Sequence, residues 1–207
     1  MTGSREEMLA TIRAALTGAT PVTVERSYRV RGSLARADVV ARFVERVEHY
    51  GATVIRSDAP AHTVAGLSAG RLGIAPDLPA GLRPGDAELV EDHGLTADEL
   101  DRLDGALTTC AAACAETGSI ALDGGPGQGR RALTLMPDLH VCIVDATDVV
   151  ETVPELFDRL APGARAGRPI VIVSGPSATS DIELDRVEGV HGPRRLIVVL
   201  RQTDPAE

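Results

Sequence analysis

Residues 116–137, with the sequence ETGSIALDGGPGQGRRALTLMP, combine residue types that can bind a small anion. The stretch begins with a carboxylate, contains four glycines within six residues, and continues into the adjacent Arg130 and Arg131. Glycine lets a backbone approach a ligand closely, and successive N–H groups in such a turn can form an anion-binding concavity. Guanidinium groups hold carboxylate or phosphate through paired hydrogen bonds. We therefore predict a small-anion site here; the alternative is a long loop whose glycines only make turns.

Glu116 is the candidate catalytic residue of this stretch. It follows a run of small, mostly apolar residues from 106 to 115, and a partly buried carboxylate with a shifted pKa can act as a general base or nucleophile. The alternative is a structural carboxylate that binds backbone N–H groups of the glycine-rich loop. Because a carboxylate repels an anion, we expect Glu116 to pair with an arginine or with loop N–H groups when the site is empty.

A second polar segment, SGPSATS at residues 174–180, follows an apolar run that is typical of a strand. Hydroxyl-rich turns bind phosphate or carboxylate when a helix N-terminus follows. Ser174, Gly175 and Ser177 are therefore predicted to bind the ligand, with ordinary loop capping as the alternative.

The nearby Asp181, Glu183, Asp185 and His191 raise the question of a metal. Their spacing matches no standard zinc or calcium pattern, so we predict no metal site. His191 lies in the turn HGPR, where it is either an acid–base group or the donor of a structural hydrogen bond. The chain also lacks a GxSxG elbow, and the GGPGQG run lacks the Lys–Ser/Thr ending of a phosphate-binding P-loop.

Short apolar runs alternate with helical patterns in the second half of the chain, which is typical of a mainly parallel sheet covered on both faces. We predict a single α/β domain over residues 1–207, with a three-layer α/β/α arrangement. Strands near residues 107–114, 139–144, 170–173 and 196–200 are expected in one sheet. Because loops leaving parallel strands open on one edge, we expect the polar residues to converge on one cleft. These residues are Glu116, Ser119, Gln128, Arg130, Arg131, Ser174 and Ser177.

The apolar spacing within residues 1–20 predicts a peripheral N-terminal helix. Met8, Leu9, Ile12 and Leu16 share one face of it, which could pack on the domain edge or on a second copy of the chain. Two capping boxes, Thr96 with Glu99 and Thr152 with Glu155, predict the starts of later helices.

The composition excludes several functional classes. A net charge of −9 over 207 residues and a pI near 5.1 argue against binding nucleic acids or anionic membranes. There is no signal-peptide pattern and no apolar run long enough to cross a bilayer, so we expect a cytoplasmic protein. Cys110, Cys114 and Cys142 form neither a disulfide framework nor an iron–sulfur spacing, and we expect all three to be small buried hydrophobes.

Four motifs in one order, AETGSIALD, QGRRALTLMPDLHVCIV, SGPSATSDIE and GVHGPRRLIVVL, resemble the LUD-domain family. The resemblance covers the chain well from about residue 106 onward and only loosely before it. It implies a fold similar to the sugar-phosphate isomerase and CoA-transferase-like superfamily. It also implies a part in oxidising L-lactate to pyruvate, with iron–sulfur clusters on partner proteins and no cofactor on this chain.

The motifs and the resemblance together assign a set of site residues. Glu116 is the catalytic candidate, and the predicted ligand-binding residues are Thr117, Gly118, Ser119, Gly125, Gln128, Gly129, Arg130, Arg131, Ser174, Gly175, Ser177, Asp181 and His191. The family often carries threonine at the position of Ser119, and serine keeps the hydroxyl.

Three readings of function follow. The first is a subunit of a cytoplasmic L-lactate utilisation system that binds a small anion and works with iron–sulfur partner proteins. The second is a stand-alone enzyme acting on a phosphosugar, a folate-like ligand or a CoA thioester. The third is a non-catalytic assembly module. A shared fold does not by itself choose among them.

Overall fold

The computed structural model describes residues 3–19, 22–67, 69–179, 187–188 and 192–202. Its helices are α1 (Gly3–Ala15), α2 (Arg36–His49), α3 (Pro60–Gly66), α4 (Ala97–Asp101) and α5 (Val153–Arg165). Its strands are β1 (Thr53–Ser57), β2 (Arg71–Ile74), β3 (Glu88–Glu91), β4 (Gly105–Thr108), β5 (Ala112–Cys114), β6 (Ser119–Leu122), β7 (Leu139–Asp145), β8 (Val149–Val150), β9 (Val171–Val173), β10 (Ala178–Thr179), β11 (Val187–Glu188) and β12 (Arg195–Arg201). Short 3₁₀ helices occupy Ala80–Leu82, Arg131–Thr134 and Ala146–Asp148.

A six-stranded, fully parallel sheet forms the centre of the molecule, in the order β1-β12-β7-β4-β2-β3. Strands β7 and β12 lie side by side along seven residue pairs, from Leu139 with Arg195 to Asp145 with Arg201. Both are almost wholly buried, which explains their uninterrupted apolar sequences. The predicted α/β fold with a mainly parallel sheet is confirmed.

A second, four-stranded sheet has the order β8-β5-β6-β9 and is mixed rather than parallel. The prediction that residues 107–114 and 170–173 belong to the parallel sheet is therefore wrong in part. The run 107–114 bends after Thr108, where the Thr109 N–H bonds to the Gly127 carbonyl, and re-enters as β5 in the second sheet. β9, which covers 171–173, pairs antiparallel with β6.

The β5–β6 hairpin of the second sheet is buried on both faces. Ala113, Ala115 and Ile120 pack with the core between the central sheet and α2. Ala112 and Ala121, on the opposite face, pack with Leu156 and Leu160 of α5 in a second cluster. Small side chains on both faces allow close packing, so this hairpin has the same continuous apolar pattern as a parallel strand.

The two faces of the central sheet are covered by different elements. On one face, Val64 of α3 and Leu82 of a 3₁₀ helix pack with Leu107 and Val199. On the other, Phe43 and Val47 of α2 are fully buried.

Both capping boxes form as predicted: the Thr96 hydroxyl accepts the N–H of Glu99, and the Thr152 hydroxyl accepts that of Glu155. Cys114 and Cys142 are buried as expected, whereas Cys110 is only partly buried.

Helix α1 contributes no buried residue to the domain. Among the residues that the structure describes, no helix combines the length and the apolar character needed to cross a membrane.

Candidate functional site

Several N–H groups of the glycine-rich loop are already hydrogen-bonded to side chains of the protein. The Asp123 N–H donates to Oε1 of Gln128 at 2.7 Å, and the Gly125 N–H donates to Oδ1 of Asp123 at 3.0 Å. The Gly127 N–H donates to Oδ1 of Asp77 at 3.1 Å. Gln128 and Asp123 are both buried, so their side chains hold the loop in shape. These three N–H groups are therefore not available to an anion.

The loop lies beside the carboxyl ends of β2 and β4. Gly127 has a φ of +72°, and a Cβ at this position would lie 2.9 Å from Oγ1 of Thr109, the residue after β4. Asp77, which accepts its N–H, lies after β2. The chain leaves β2 for β3 on one side and leaves β4 for β7 on the other, and ligands in such sheets bind where the connections diverge. The loop thus fills part of this crevice, and Gly124, Gln128 and Gly129 line a neighbouring cavity.

Arg130 and Arg131 have different surroundings. Arg130 holds the buried Asp92 through Nε to Oδ2 at 2.7 Å and Nη2 to Oδ1 at 3.0 Å, and Nη2 also donates to the Leu95 carbonyl. Burial alone would raise the pKa of Asp92, but Arg130 and the N–H groups of Leu95 and Gly94 hold it below its ordinary value. Arg130 is therefore occupied within the fold.

Two adjoining cavities, of about 290 Å³ and 280 Å³, run along β9 and share Arg131, Thr134 and Val171. Together they are called the β9 groove. The first cavity is also lined by loop residues Gln128, Gly129 and Arg130, and by Asp123 and Arg168. The second is also lined by Ser174, Gly175, Ser177, Ile172 and Leu135. The groove therefore joins the glycine-rich loop to the hydroxyl-rich turn, with Arg131 in the shared wall.

Arg131 is the arginine of the groove for which the described residues provide no ion-pair partner. Arg168 lies 2.5 Å from Oδ2 of Asp123, and Arg130 is paired with Asp92. Within the described part of the chain, no side chain or backbone group pairs with the Arg131 guanidinium, which is solvent-exposed. Among the residues that the structure describes, the groove therefore carries one positive charge without an ion-pair partner.

Two hydroxyl groups meet at the far end of the groove. Oγ of Ser119 lies 2.7 Å from Oγ of Ser174, and either can be the donor. Ser119 is buried, whereas Ser174 lines the second cavity and is exposed. Because a hydroxyl both donates and accepts, Ser174 can donate to a bound carboxylate while it accepts from Ser119.

Glu116 lies outside the residues that line the groove. Its Oε1 accepts from Arg29 at 3.1 Å, and its Oε2 accepts from the Val153 N–H at the start of α5. Arg29 also donates to Oε1 of Glu151 at 2.7 Å. Pairing with an arginine is confirmed, but the arginine is Arg29, which precedes α2.

Residues 28–34, called the N-terminal strap, are held beside the start of α5 by the carboxylates of Glu116, Glu151 and Glu155. The Leu34 N–H donates to Oε2 of Glu151 at 2.7 Å, and the Gly32 N–H donates to Oε1 of Glu155 at 3.3 Å. The Leu34 N–H and the Arg29 guanidinium hold the pKa of Glu151 below its ordinary value, against the effect of burial. In this geometry, Glu116 anchors the strap together with Glu151.

The predicted glycines at the β5–β6 turn and after β9 make close packing contacts. Gly118, with a φ of +62°, lies against the backbone of α2, where a Cβ would come within 2.8 Å of the Arg46 carbonyl carbon. Gly175, with a φ of +91°, is pressed against Tyr50 at the end of the same helix. These glycines let the second sheet approach α2.

The predicted set therefore divides. The structure brings Gln128, Gly129, Arg130, Arg131, Ser174, Gly175 and Ser177 to the β9 groove, with Ser119 directly behind Ser174. Gly125 lies inside the loop, and Glu116, Thr117 and Gly118 lie at the β5–β6 turn, outside the residues that line the groove. Asp181 and His191 lie outside the described residues.

Sequence reasoning missed Arg29, Asp92, Asp123 and Arg168. Their ion-pair partners lie 38 to 122 residues away along the chain, so these contacts cannot be predicted from local residue spacing. Only Asp92 had a weak sequence signal, because an aspartate two residues before a glycine is typical of a turn. In the structure Gly94 has a positive φ, and Oδ1 of Asp92 accepts the N–H groups of Gly94 and Leu95.

No group of three or more histidine, cysteine or acidic side chains is placed to hold a metal within the described ranges. The nearby Cys142 thiol and partial burial raise the pKa of Cys110 well above its ordinary value. Metal ligation needs the thiolate, which this environment disfavours.

Comparison with known proteins identifies the family. The LUD domain matches residues 66–200. Lactate utilization protein C of Deinococcus radiodurans is 45% identical over 199 residues, which cover 94% of this chain and 93% of that protein. Lactate utilization protein C of Bacillus subtilis is 32% identical over 90 residues, or 42% of this chain and 37% of that protein.

A solved structure agrees with these matches. The crystal structure of a DUF162 family protein from Deinococcus radiodurans superimposes with a TM-score of 0.72 at 35% identity, covering 82% of this chain and 99% of that one. The matched domain includes the strands, the glycine-rich loop and the hydroxyl-rich turn that build the β9 groove. The chain belongs to the LUD domain family.

Proposed function

We propose that this chain is a cytoplasmic component of L-lactate utilisation that binds a small carboxylate, of the class of lactate and pyruvate, in the β9 groove. The oxidation itself would be carried out with iron–sulfur partner proteins. The relatives named lactate utilization protein C support the metabolic role. The Arg131 guanidinium, which has no partner among the described residues, supports the choice of an anion and carries the proposal.

The neighbours of Arg131 favour a carboxylate with a short carbon skeleton. A guanidinium can hold both oxygens of a carboxylate, which fixes the orientation of the acid as well as its charge. Ile172, Leu135 and Val173 line the same cavity as Ser174, so an apolar methyl group and a polar substituent both have compatible surroundings. Asp123 is already neutralised by Arg168, which reduces its repulsion of the ligand.

Calorimetric titration with L-lactate, pyruvate and sulfate tests the binding step. We expect Arg131→Ala to weaken carboxylate binding by roughly ten- to a hundredfold, as for the loss of a charged hydrogen-bond partner. The carboxylate affinity of Arg131→Lys should lie between those of the parent and Arg131→Ala, since lysine keeps the positive charge but lacks the planar guanidinium that binds both oxygens. Arg165→Ala is the matched control, because Arg165 is another exposed arginine without a described partner and lies outside the groove. Unchanged binding in Arg131→Ala would overturn the proposed site.

Growth on L-lactate tests the metabolic role separately. A strain lacking the gene should fail to grow on L-lactate, recover with the parent sequence or Arg165→Ala, and recover poorly with Arg131→Ala. Affinity purification from lactate-grown cells should bring down iron–sulfur proteins. Normal growth of the deletion strain would contradict the role in lactate utilisation, whatever the calorimetry shows.

A further inference from the structure

Helix α1 presents an uncovered apolar stripe. Met8, Ile12 and Leu16 follow one another at intervals of four residues, which places them on one face, and they are 66%, 48% and 62% exposed. Leu16 directly follows the last helical residue, and its N–H bonds to the Ile12 carbonyl. The helix has 13 residues and contributes no buried residue to the domain. Isolated helices of about this length are marginal in water and gain their stability by packing an apolar face. The stripe therefore needs a surface to cover it.

Two charged residues beside the stripe would attract each other across a pair of identical helices. Glu6, in the first turn, and Arg13, in the last turn, are seven residues apart and lie on the same side of the stripe. When two copies of such a helix pack antiparallel about a two-fold axis, the same side of each helix faces the other. Met8 then lies beside the partner's Ile12, and Glu6 lies beside the partner's Arg13. The two-fold axis repeats both contacts.

We propose that the apolar face of α1 pairs antiparallel with α1 of a second copy of this chain. This charge arrangement favours a second copy of α1 as the partner, because Glu6 of each helix then lies beside Arg13 of the other. Arg5 closes the stripe at one end, where its long side chain can cover the partner's Leu16 and keep its charge in water.

Sedimentation equilibrium across a range of protein concentrations tests this pairing. We expect a monomer–dimer equilibrium. Glu6→Arg and Arg13→Glu each replace two reciprocal attractions by repulsions, so each should raise the dimer dissociation constant roughly tenfold. The double variant, Glu6→Arg with Arg13→Glu, restores the attractions with their signs exchanged and should return the dissociation constant close to that of the parent.

Glu7→Arg is the matched control. It makes the same charge change one residue away, on the other side of the apolar stripe, and should leave the dissociation constant unchanged. Ile12→Asp should make the protein monomeric without lowering the thermal midpoint of the domain, because no residue of α1 is buried. A monomer at every concentration, a dimer that survives Ile12→Asp, or a double variant as weak as the single variants would overturn the proposal.

Discussion

Arg130 and Asp92 form a two-pronged ion pair across 38 residues of sequence, with nitrogen–oxygen distances of 2.7 Å and 3.0 Å. This contact distinguishes Arg130 from its neighbour Arg131, which faces the β9 groove without a described partner. The side chain of Asp92 is 1% exposed, so its charge depends on Arg130 and two backbone N–H groups. Adjacent arginines therefore have separate roles, one in the fold and one in the proposed binding step.

Replacement of Arg130 by alanine should destabilise the protein by about 1–3 kcal/mol, because it leaves a buried carboxylate without its cation. Arg131→Ala should change the free energy of unfolding by less than about 0.5 kcal/mol, as for an exposed side chain without a structural contact. Urea unfolding measures both values. Equal destabilisation by the two substitutions would contradict the division of roles.

Gly118 should tolerate no side chain. Its φ of +62° disfavours any other residue by about 1–2 kcal/mol, and the alanine Cβ would also press against the α2 backbone, adding about 1–3 kcal/mol. Gly167→Ala is the matched control, because Gly167 has a φ of +74° with nothing within 4 Å. We expect Gly118→Ala to lower the free energy of unfolding clearly more than Gly167→Ala does. Similar losses would show that the close approach to α2 is unimportant.

The buried His140 should make stability pH-dependent. Burial lowers its pKa from 6.5 to about 4, and its Nε2 lies 2.8 Å from Oγ1 of Thr108. Between these two pKa values the unfolded chain binds the extra proton, so stability falls as pH is lowered, with a limiting slope of about 1.4 kcal/mol per pH unit. In the upper part of this window, from pH 6 to 5, the carboxylates with lowered pKa values remain ionised.

Unfolding free energies of His140→Gln and the parent, measured from pH 7.5 to 5, check this expectation. Glutamine can still hydrogen-bond with Thr108 but does not titrate, so most of the slope should disappear. His62→Gln serves as the control for the substitution itself, because it makes the same change at an exposed histidine. A slope that persists unchanged in His140→Gln would contradict the assignment.

The N-terminal strap should loosen when Arg29 is removed. Arg29→Ala leaves Glu116 and Glu151 without their shared cation. The Gly32 N–H then still bonds to Glu155, and the Leu34 N–H still bonds to Glu151. We expect faster hydrogen exchange at those two amides by mass spectrometry or NMR. Arg31→Ala removes an exposed ion pair with Asp158 in the same segment and should have a much smaller effect. Equal exchange in both variants would show that the Glu116–Arg29 contact does not hold the strap.

Much of the central architecture could be read from the chain. The apolar runs of β7 and β12 indicated buried parallel strands, and both capping boxes marked real helix starts. The boundary between the two sheets could not be read in this way. A hairpin buried on both faces has no alternation of polar and apolar residues, so β5 looked like a continuation of β4.

The sequence by itself determined which residue types could bind an anion, since glycine, serine and arginine carry their chemistry wherever they lie. Only the tertiary structure decided which of the two adjacent arginines is engaged in an ion pair within the fold. Asp92 lies far from Arg130 along the chain, and packing of the segment after β3 against the glycine-rich loop brings them together. Glu116 is a parallel case, because Arg29 reaches it across 87 residues. Ion pairs of this kind depend on the distances between packed elements, and those distances cannot be deduced from local sequence.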